Sequence, residues 1–392
     1  MDYRTLVAHD DIVALNTHNY HGPQISPLLL QAMGLSSDEL KAVREKSHQP
    51  YLIRHFKDIP FPATKSPKFS FIDLFAGVGG FRLALQQLDG QCVFTSEIDS
   101  YAKSTYCTNF GELPFGDIRN IPAAYIPDHD ILCAGFPCQA FSIAGYRQGF
   151  DDAKGRGNLF FEIERIIHEK RPRAYILENV KNLEGHDKGN TFKEIKKRLL
   201  NLGYSVFHRV LNTMEYSNIP QNRERIFIVG YRDEADWRNK ESSFSAAFRW
   251  PEKRPLTKHI RDVLLHDVHD RYYYKKYACY PDLVKGITSL DTVYQWRRMY
   301  VRENKKGVCP TLTANMGTGG HNVPLVLDGL PENPKRGNIR KLTPRECARL
   351  QGFPDHFKLP DLSLGRLYKQ FGNSVTVPVV ARVAKSLLAP FE

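Results

Sequence analysis

Gly135-Phe136-Pro137-Cys138-Gln139-Ala140-Phe141-Ser142 follows the short apolar run Asp130-Ile131-Leu132-Cys133-Ala134, and this junction decides the fold. The apolar run has the length and character of a parallel strand buried on both faces. Pro137 rules out a helix continuing through Cys138, because it lacks an N–H and clashes with the preceding turn. Cys138 is therefore expected on a rigid turn at the carboxyl end of a strand, where ligands and chemistry collect in open α/β sheets. Beyond it, Gly145, Gly149, Gly155 and Gly157 punctuate a charged run without clear period, which reads as a lid able to close over a substrate. A buried structural cysteine is the plain alternative, since free Cys is mostly buried. The flanking motifs decide between the two.

Upstream, the main domain opens at Phe69. The run Phe69 to Leu74 leads into Phe75-Ala76-Gly77-Val78-Gly79-Gly80 and a helical pattern, Phe81 to Leu88. Strand, glycine-rich turn and helix make the opening of a nucleotide-binding unit: glycines admit a ligand close to the backbone, and a helix start offers N–H groups. The next strand, Cys92 to Ser96, ends in Glu97-Ile98-Asp99, where an acid can accept hydrogen bonds from both ribose hydroxyls. A third strand end carries Gly116-Asp117-Ile118, where Asp117 can meet an adenine amino group. Without G-x-G-x-x-G, the pattern fits an adenosine-bearing cofactor that has no pyrophosphate.

Downstream, a helix over Leu159 to Glu169 precedes a strand, Ala174 to Leu177, that ends in Glu178-Asn179-Val180. Parallel alternation brings strand ends side by side, so Glu178 is expected to face Cys138. Apolar walls there would push its carboxyl up and let it donate a proton. After a helix, Thr191 to Leu202, the strands Tyr204 to Leu211 and Arg225 to Gly230 read as a hairpin-like pair. Gln221-Asn222-Arg223-Glu224-Arg225 lies between them, with Arg223 and Arg225 expected on one face.

The 392 residues suffice for one large domain or two ordinary ones. The apolar fraction of 42% and charged fraction of 25% are those of a soluble globular protein. No apolar run is expected to span a membrane, and no secretory signal opens the chain. Seven irregularly spaced cysteines suit a reducing compartment rather than a disulfide framework. No metal site is expected, because Cys133 and Cys138 lack a second close ligand pair. A formal charge of +12 suggests a polyanionic partner. Residues 1–67 read as a helical extension, with a capping box at Ser36-Ser37-Asp38-Glu39 and a proline-stiffened linker at Pro60, Pro62 and Pro67.

DLFAGVGGFR, PDHDILCAGFPCQAFS, LENVKN, QNRERIFIVG, RKLTPRECARLQGFP and KQFGNSV occur in that order from Asp73 to Val375. With them the chain resembles the DNA cytosine-5 methyltransferases, especially the bacterial enzymes that accompany restriction endonucleases. The resemblance implies a Rossmann-like α/β S-adenosylmethionine-dependent methyltransferase domain with a smaller inserted DNA target-recognition domain. It implies S-adenosyl-L-methionine as cofactor, leaving as S-adenosyl-L-homocysteine. Phe75, Gly77, Gly79, Glu97, Ile98, Asp117, Ile118 and Asn373 match its cofactor positions. Some relatives carry Trp at the position of Ile98, stacked on the adenine. Cys138 matches the nucleophile, Glu178 the acid at the base and Arg225 the contact to cytosine O2, with Arg223 beside it. The target base must flip out of the duplex to be reached.

The implied organisation is an extension over 1–67, a catalytic domain over 68–249, a recognition domain over 250–340 and a return to the catalytic domain over 341–392. Between Pro251 and Pro310 there are 13 Lys or Arg against 7 Asp or Glu, interleaved with rings in Tyr272-Tyr273-Tyr274-Lys275-Lys276 and Tyr294-Gln295-Trp296-Arg297-Arg298. Taken alone this is an ordinary solvated surface; inside such an enzyme it is where the recognition domain belongs. Gln139, Arg297, Arg298, Arg302, Thr311, Asn315 and His321 are the expected DNA contacts. The expected partner is double-stranded DNA. A cognate restriction endonuclease would act on the same site without a stable complex, around a monomeric, cytoplasmic methyltransferase. The rival readings are a tRNA cytosine-5 methyltransferase of the same fold and a non-catalytic DNA-binding regulator.

Overall fold

The computed structural model describes residues 59–136, 159–232, 248–297, 299–318, 323–329 and 338–391. The expected N-terminal helix, the Cys138 turn with its lid, and Gln139, Arg298 and His321 lie outside them. The chain divides into two compact units. One comprises 1–211, 225–251 and 380–392; the other comprises 212–224 and 252–379. The boundaries differ from those expected: 212–224 and 341–379 group with the second unit, and the chain rejoins the first only at Val380.

The first unit contains β1 (Phe69–Leu74), α1 (Gly80–Gln86), β2 (Gly90–Ser96), α2 (Ser100–Phe110), β3 (Ile131–Gly135), α3 (Leu159–Lys170), β4 (Ala174–Val180), α4 (Asn190–Asn201) and β5 (Phe207–Asn212). The chain then passes through a one-turn helix, α5 (Thr213–Tyr216), and a short strand, β6 (Gln221–Asn222), before β7 (Glu224–Tyr231). Six strands form a sheet in the order β2-β1-β3-β4-β7-β5. The pairs β1–β2, β1–β3 and β3–β4 are parallel, and β4–β7 is antiparallel. Successive connections leave β1 in opposite directions, so a topological switch point lies at its carboxyl end, where ligands of such sheets bind. Ser205 N–H donates to Tyr231 O at 2.9 Å and Thr213 N–H to Arg223 O at 2.9 Å, so β5 and β7 run antiparallel, as the hairpin-like reading expects.

Burial follows sequence period. The central strands are apolar at nearly every position because both faces are covered. On α3 the buried residues Phe160, Ile163 and Ile167 recur at helical spacing, as do Phe192, Ile195 and Leu199 on α4. They pack with Leu132, Leu177, Ile226 and Ile228 of the sheet in one core. Arg82, the last residue of the first motif, is fully buried, and its guanidinium binds Glu112 (Nη2–Oε1 2.9 Å). This pair ties α1 to the loop after α2, under the glycine-rich turn.

The second unit continues with α6 (Tyr280–Gly286), β8 (Tyr294–Trp296), β9 (Val301–Glu303), β10 (Cys309–Pro310), β11 (Leu325–Leu327), β12 (Ile339–Lys341), α7 (Pro344–Leu350) and α8 (Leu364–Asn373), and α9 (Val377–Leu388) leads back. An antiparallel sheet runs β12-β11-β8-β9, and β10 pairs with β6. The tyrosine and tryptophan rings expected on a charged surface are largely internal: Tyr274, Tyr294 and Trp296 form this unit's core with Leu283, Leu325 and Ile339. Period-2 alternation sends the rings inward and Gln295 and Arg297 outward. Arg340 and Glu346, both wholly buried, pair at 2.8 Å, and Thr343 and Glu346 close a capping box on α7 with Pro344 in its first turn.

Contrary to expectation, one stretch among the described residues, Leu364–Phe391, is long and apolar enough to cross a membrane. It is broken between α8 and α9 at Ser374 (φ −65°, ψ 152°), and Tyr368, Phe371, Val380, Val383 and Leu387 are wholly buried in the protein. These are core helices.

Candidate functional site

In the first unit the turn after β1 is held by an unusual backbone. Phe75, Gly77 and Gly79 all adopt positive φ (57°, 56° and 87°). Gly79 has a second constraint: a Cβ there would lie 2.3 Å from the Phe110 ring. The end of β2 fastens this turn. Ala76 N–H donates to Ser96 O at 2.9 Å. Glu97 accepts from Gly77 N–H and Asp99 N–H, each at 2.7 Å. Burial raises the Glu97 carboxyl pKa, against the pull of these N–H donors. Ile98 beside it is 69% exposed. A fixed carboxylate next to a bare aliphatic surface suits an adenosine, whose ribose offers hydroxyls and whose base offers an apolar face. Beneath the turn, Asp73 is wholly buried with its Oδ1 unpartnered among the described residues, and desolvation raises its pKa to about 8.

Three expected cofactor positions look different in the structure. Asp117 ends no strand. Phe115 makes a single bridge to Ser96, and Asp117 caps a short turn, accepting from Arg119 N–H at 3.0 Å and pairing with its guanidinium. Against the upward push of partial burial, those hydrogen bonds hold its carboxyl below the usual range. Ile118 packs its side chain in the core and is 3% exposed. Asn373 is exposed at the end of α8, in the second unit.

The strand ends bring the expected acid and guanidinium together. Gly135 at the end of β3 is opposite Glu178 on β4, and Phe136 N–H donates to Glu178 O at 3.3 Å. The chain two residues before Cys138 is thus bonded to the residue expected to act on the base. Arg225 on β7 is opposite Val180, placing it diagonal to Glu178 on one face. Its Nε lies 3.0 Å from Glu178 Oε1. The carboxylate thus meets a cation where apolar walls were expected. Asn179, which the sequence reading passed over, is wholly buried, and its Nδ2 has no acceptor among the described residues.

Arg223 does not join Arg225. It precedes the β7 ladder, is 1% exposed, and donates to Leu312 O at 2.9 Å, Gly372 O at 3.3 Å and Ser374 O at 2.7 Å. Gln221 acts alongside, giving Nε2–H to Leu350 O at 2.6 Å and accepting from Leu312 N–H at 3.2 Å. These residues bind segments of the second unit to each other, and the Arg223 guanidinium is turned to backbone carbonyls.

Four expected DNA contacts of the second unit line one concave surface of about 1080 Å³: Arg297, Arg302, Thr311 and Asn315. Cross-strand register makes Gln295 the partner of Arg302, and Arg297 Nη2 donates to Gln295 Oε1 at 3.0 Å, so both arginines share the outer face of the β8–β9 hairpin. Lys305 and Lys306 add charge to the groove, against Glu303 alone. Thr311 gives its hydroxyl to Asn222 O at 2.7 Å, which makes it a support for β6 and β10. A second concavity near Tyr273 sets Arg261, Arg271, Lys275 and Lys276 against Asp267, Asp270 and Asp328, and lacks that charge imbalance.

A doubly wound sheet, a glycine-bearing turn at its switch point and an acid at the end of β2 make a Rossmann-like α/β fold of the kind that binds a nucleoside-bearing cofactor. The chain belongs to the C-5 cytosine-specific DNA methylases, whose family model matches residues 69–389. It is 52% identical over 320 residues to the Type II methyltransferase M.Bsp6I of Bacillus sp. (strain RFL6), covering 80% of this chain and 96% of the relative. It is 42% identical over 332 residues to M.HhaI of Haemophilus parahaemolyticus, covering 81% and 93%. Among solved structures, S. pombe Dnmt2 methyltransferase shares the fold with a TM-score of 0.61 at 21% identity, over 83% of this chain and 99% of that one.

Proposed function

We propose that this protein methylates C5 of cytosine within a short duplex DNA sequence, by attack of Cys138 on C6 of an extruded base. The observation that carries the reading is the Glu178–Arg225 pair, 3.0 Å apart, with Glu178 on the strand laddered to the one that leads into Cys138 and Arg225 on the next strand of the sheet. Bound S-adenosylmethionine supplies an electrophilic methyl group. Cytosine C5 is a poor nucleophile until the Cys138 thiolate adds at C6 and drives the C5–C6 electron pair toward C5. Glu178 stabilises that addition by protonating or hydrogen-bonding N3. Arg225 holds Glu178 through Nε, and a guanidinium has further N–H donors able to reach O2. After C5 has been alkylated, loss of its proton to solvent and departure of the Cys138 thiolate restore the aromatic ring.

Glu97 and the Phe75–Gly79 turn would hold the cofactor's ribose, and Ile98 would cover its adenine. The groove carrying Arg297 and Arg302 would read the target, with arginine favouring guanine in the major groove. The Type II names of the relatives support a protective role against a cognate endonuclease that forms no stable complex with this protein. A monomer in the cytoplasm suits that role. Bisulfite sequencing of DNA from cells expressing the chain tests the reading: fully protected cytosines in one recurrent context are expected. Methylation without any context, or transfer to tRNA in preference to duplex DNA, would overturn it.

A further inference from the structure

Arg82 and Glu112 lie buried in the first unit, and the reaction assigns neither a part. The Arg82 guanidinium forks onto Glu112, giving Nη2–H to Oε1 at 2.9 Å and Nη1–H to Oε2. Its other bonds go to Gln86 Oε1 (from Nε, 2.9 Å) and Tyr106 Oη (from Nη1, 3.2 Å). Stability is a poor reason for such a pair: the cost of desolvating two charges offsets most of their attraction, and apolar side chains often do as well. What a fork gives and an apolar contact does not is a fixed position.

The segment so fixed supports the end of β2. That strand is the outer one of its sheet. Three residues after Glu112, Phe115 N–H donates to Thr95 O at 2.9 Å, and Phe115 O accepts from Glu97 N–H at 2.9 Å. Arg165 of α3 secures the far end of the segment, giving Nη2–H to Ile118 O at 3.1 Å and Ile121 O at 3.0 Å. Arg82 also reaches the glycine-bearing turn. Its backbone N–H donates to Asp73 Oδ2 at 3.2 Å, and its guanidinium stands 5.2 Å from the centre of the Phe110 ring that packs under Gly79. We propose that Arg82 and Glu112 are positioning residues for the cofactor: the fork sets residues 112–117 in place and, through Phe115, fixes the Glu97 carboxylate where the ribose hydroxyls meet it. The inference rests on Glu97 holding the ribose. The pair acts at a distance from the methyl group, so it governs cofactor affinity and leaves the transfer step alone.

The test uses the full-length protein, with S-adenosyl-L-homocysteine as the calorimetric probe. The double variant Arg82→Met, Glu112→Leu removes both charges and keeps the space filled, so it should unfold at much the same denaturant midpoint as the parent. It should bind the probe roughly tenfold more weakly, the effect of one misplaced hydrogen-bond partner. Single-turnover transfer to duplex DNA at saturating S-adenosylmethionine should stay within about twofold of the parent. Added to Glu97→Ala, the double change should weaken binding by less than about twofold more, because it acts through Glu97. Glu112→Gln, which keeps the shape and one acceptor, should show the same lack of additivity with Glu97→Ala should the double variant not fold. Parent-like affinity in the folded variants would overturn the positioning role, as would full additivity with Glu97→Ala. Loss of folding in both would overturn it too, since the pair would then serve stability. A parent protein that binds no S-adenosylhomocysteine would remove the cofactor reading itself, and this inference with it.

Discussion

Removing the Arg225 guanidinium and its partner together should damage the protein less than the two single removals added. Glu178 is 8% exposed, and Arg225 Nε stands 3.0 Å from its Oε1. Arg225→Ala takes from a mostly buried carboxylate the cation beside it, and breaking such a pair from one side costs about 3–5 kcal/mol. In the double variant Glu178→Ala, Arg225→Ala no charge is left stranded. The double loss should therefore fall short of the sum of the single losses by about 2 kcal/mol, within the range seen for contacting pairs. Denaturant unfolding of the four proteins gives this coupling directly. The same set, assayed for single-turnover methyl transfer with saturating cofactor, should show Arg225→Ala slowed roughly a hundred- to a thousandfold, as for loss of a preorganised donor. Additivity within about 0.5 kcal/mol would mean that the two side chains do not act on each other, and the site as described would be wrong.

Glu97→Ala removes the acceptor shared by Gly77 and Asp99, and should weaken S-adenosylmethionine binding by roughly 1–3 kcal/mol in calorimetry; unchanged affinity would move the ribose elsewhere. Asp73, raised from 3.8 to about 8 in the fold, holds its proton when the unfolded chain has lost it. Its stabilising contribution is therefore complete below pH ~4 and drains away as pH rises toward 8. Asp73→Asn, which mimics the protonated acid, should flatten the fall in stability across that window; an unchanged pH profile would refute the assignment. Arg223→Ala takes the guanidinium from two buried carbonyls and a part-buried one, and should cost roughly 3–5 kcal/mol in unfolding free energy. Impaired transfer at undiminished stability would restore a role on the base.

Much of the catalytic unit was legible because parallel strands advertise themselves as short apolar runs, and chemistry sits where they stop. Phe69–Leu74, Gly90–Ser96 and Ala174–Val180 were readable in this way, and Glu97 and Glu178 follow from the ends of the last two. What failed depended on distant contacts. Gln221 and Arg223 meet Leu312, Leu350 and Gly372, far along the chain, so no local pattern could assign 212–224 to the second unit. Alternation placed Arg223 with Arg225, but alternation holds only within a ladder, and β7 begins at Glu224. Around Tyr294 and Trp296, charge and rings mixed in sequence separate in space, since neighbouring strand positions face opposite ways. Asp117 looked like a strand end because Phe115 does touch β2, through one bridge that goes no further.

The central claim, that Cys138 forms the covalent bond to the base, is tested most directly with duplex DNA carrying 5-fluorocytosine at the mapped site. Fluorine cannot leave as a proton, so the wild-type protein, given S-adenosylmethionine, should accumulate a denaturation-resistant adduct with that DNA. Cys138→Ala should form none while still binding the duplex. An adduct of equal yield in the Cys138→Ala protein would contradict the account.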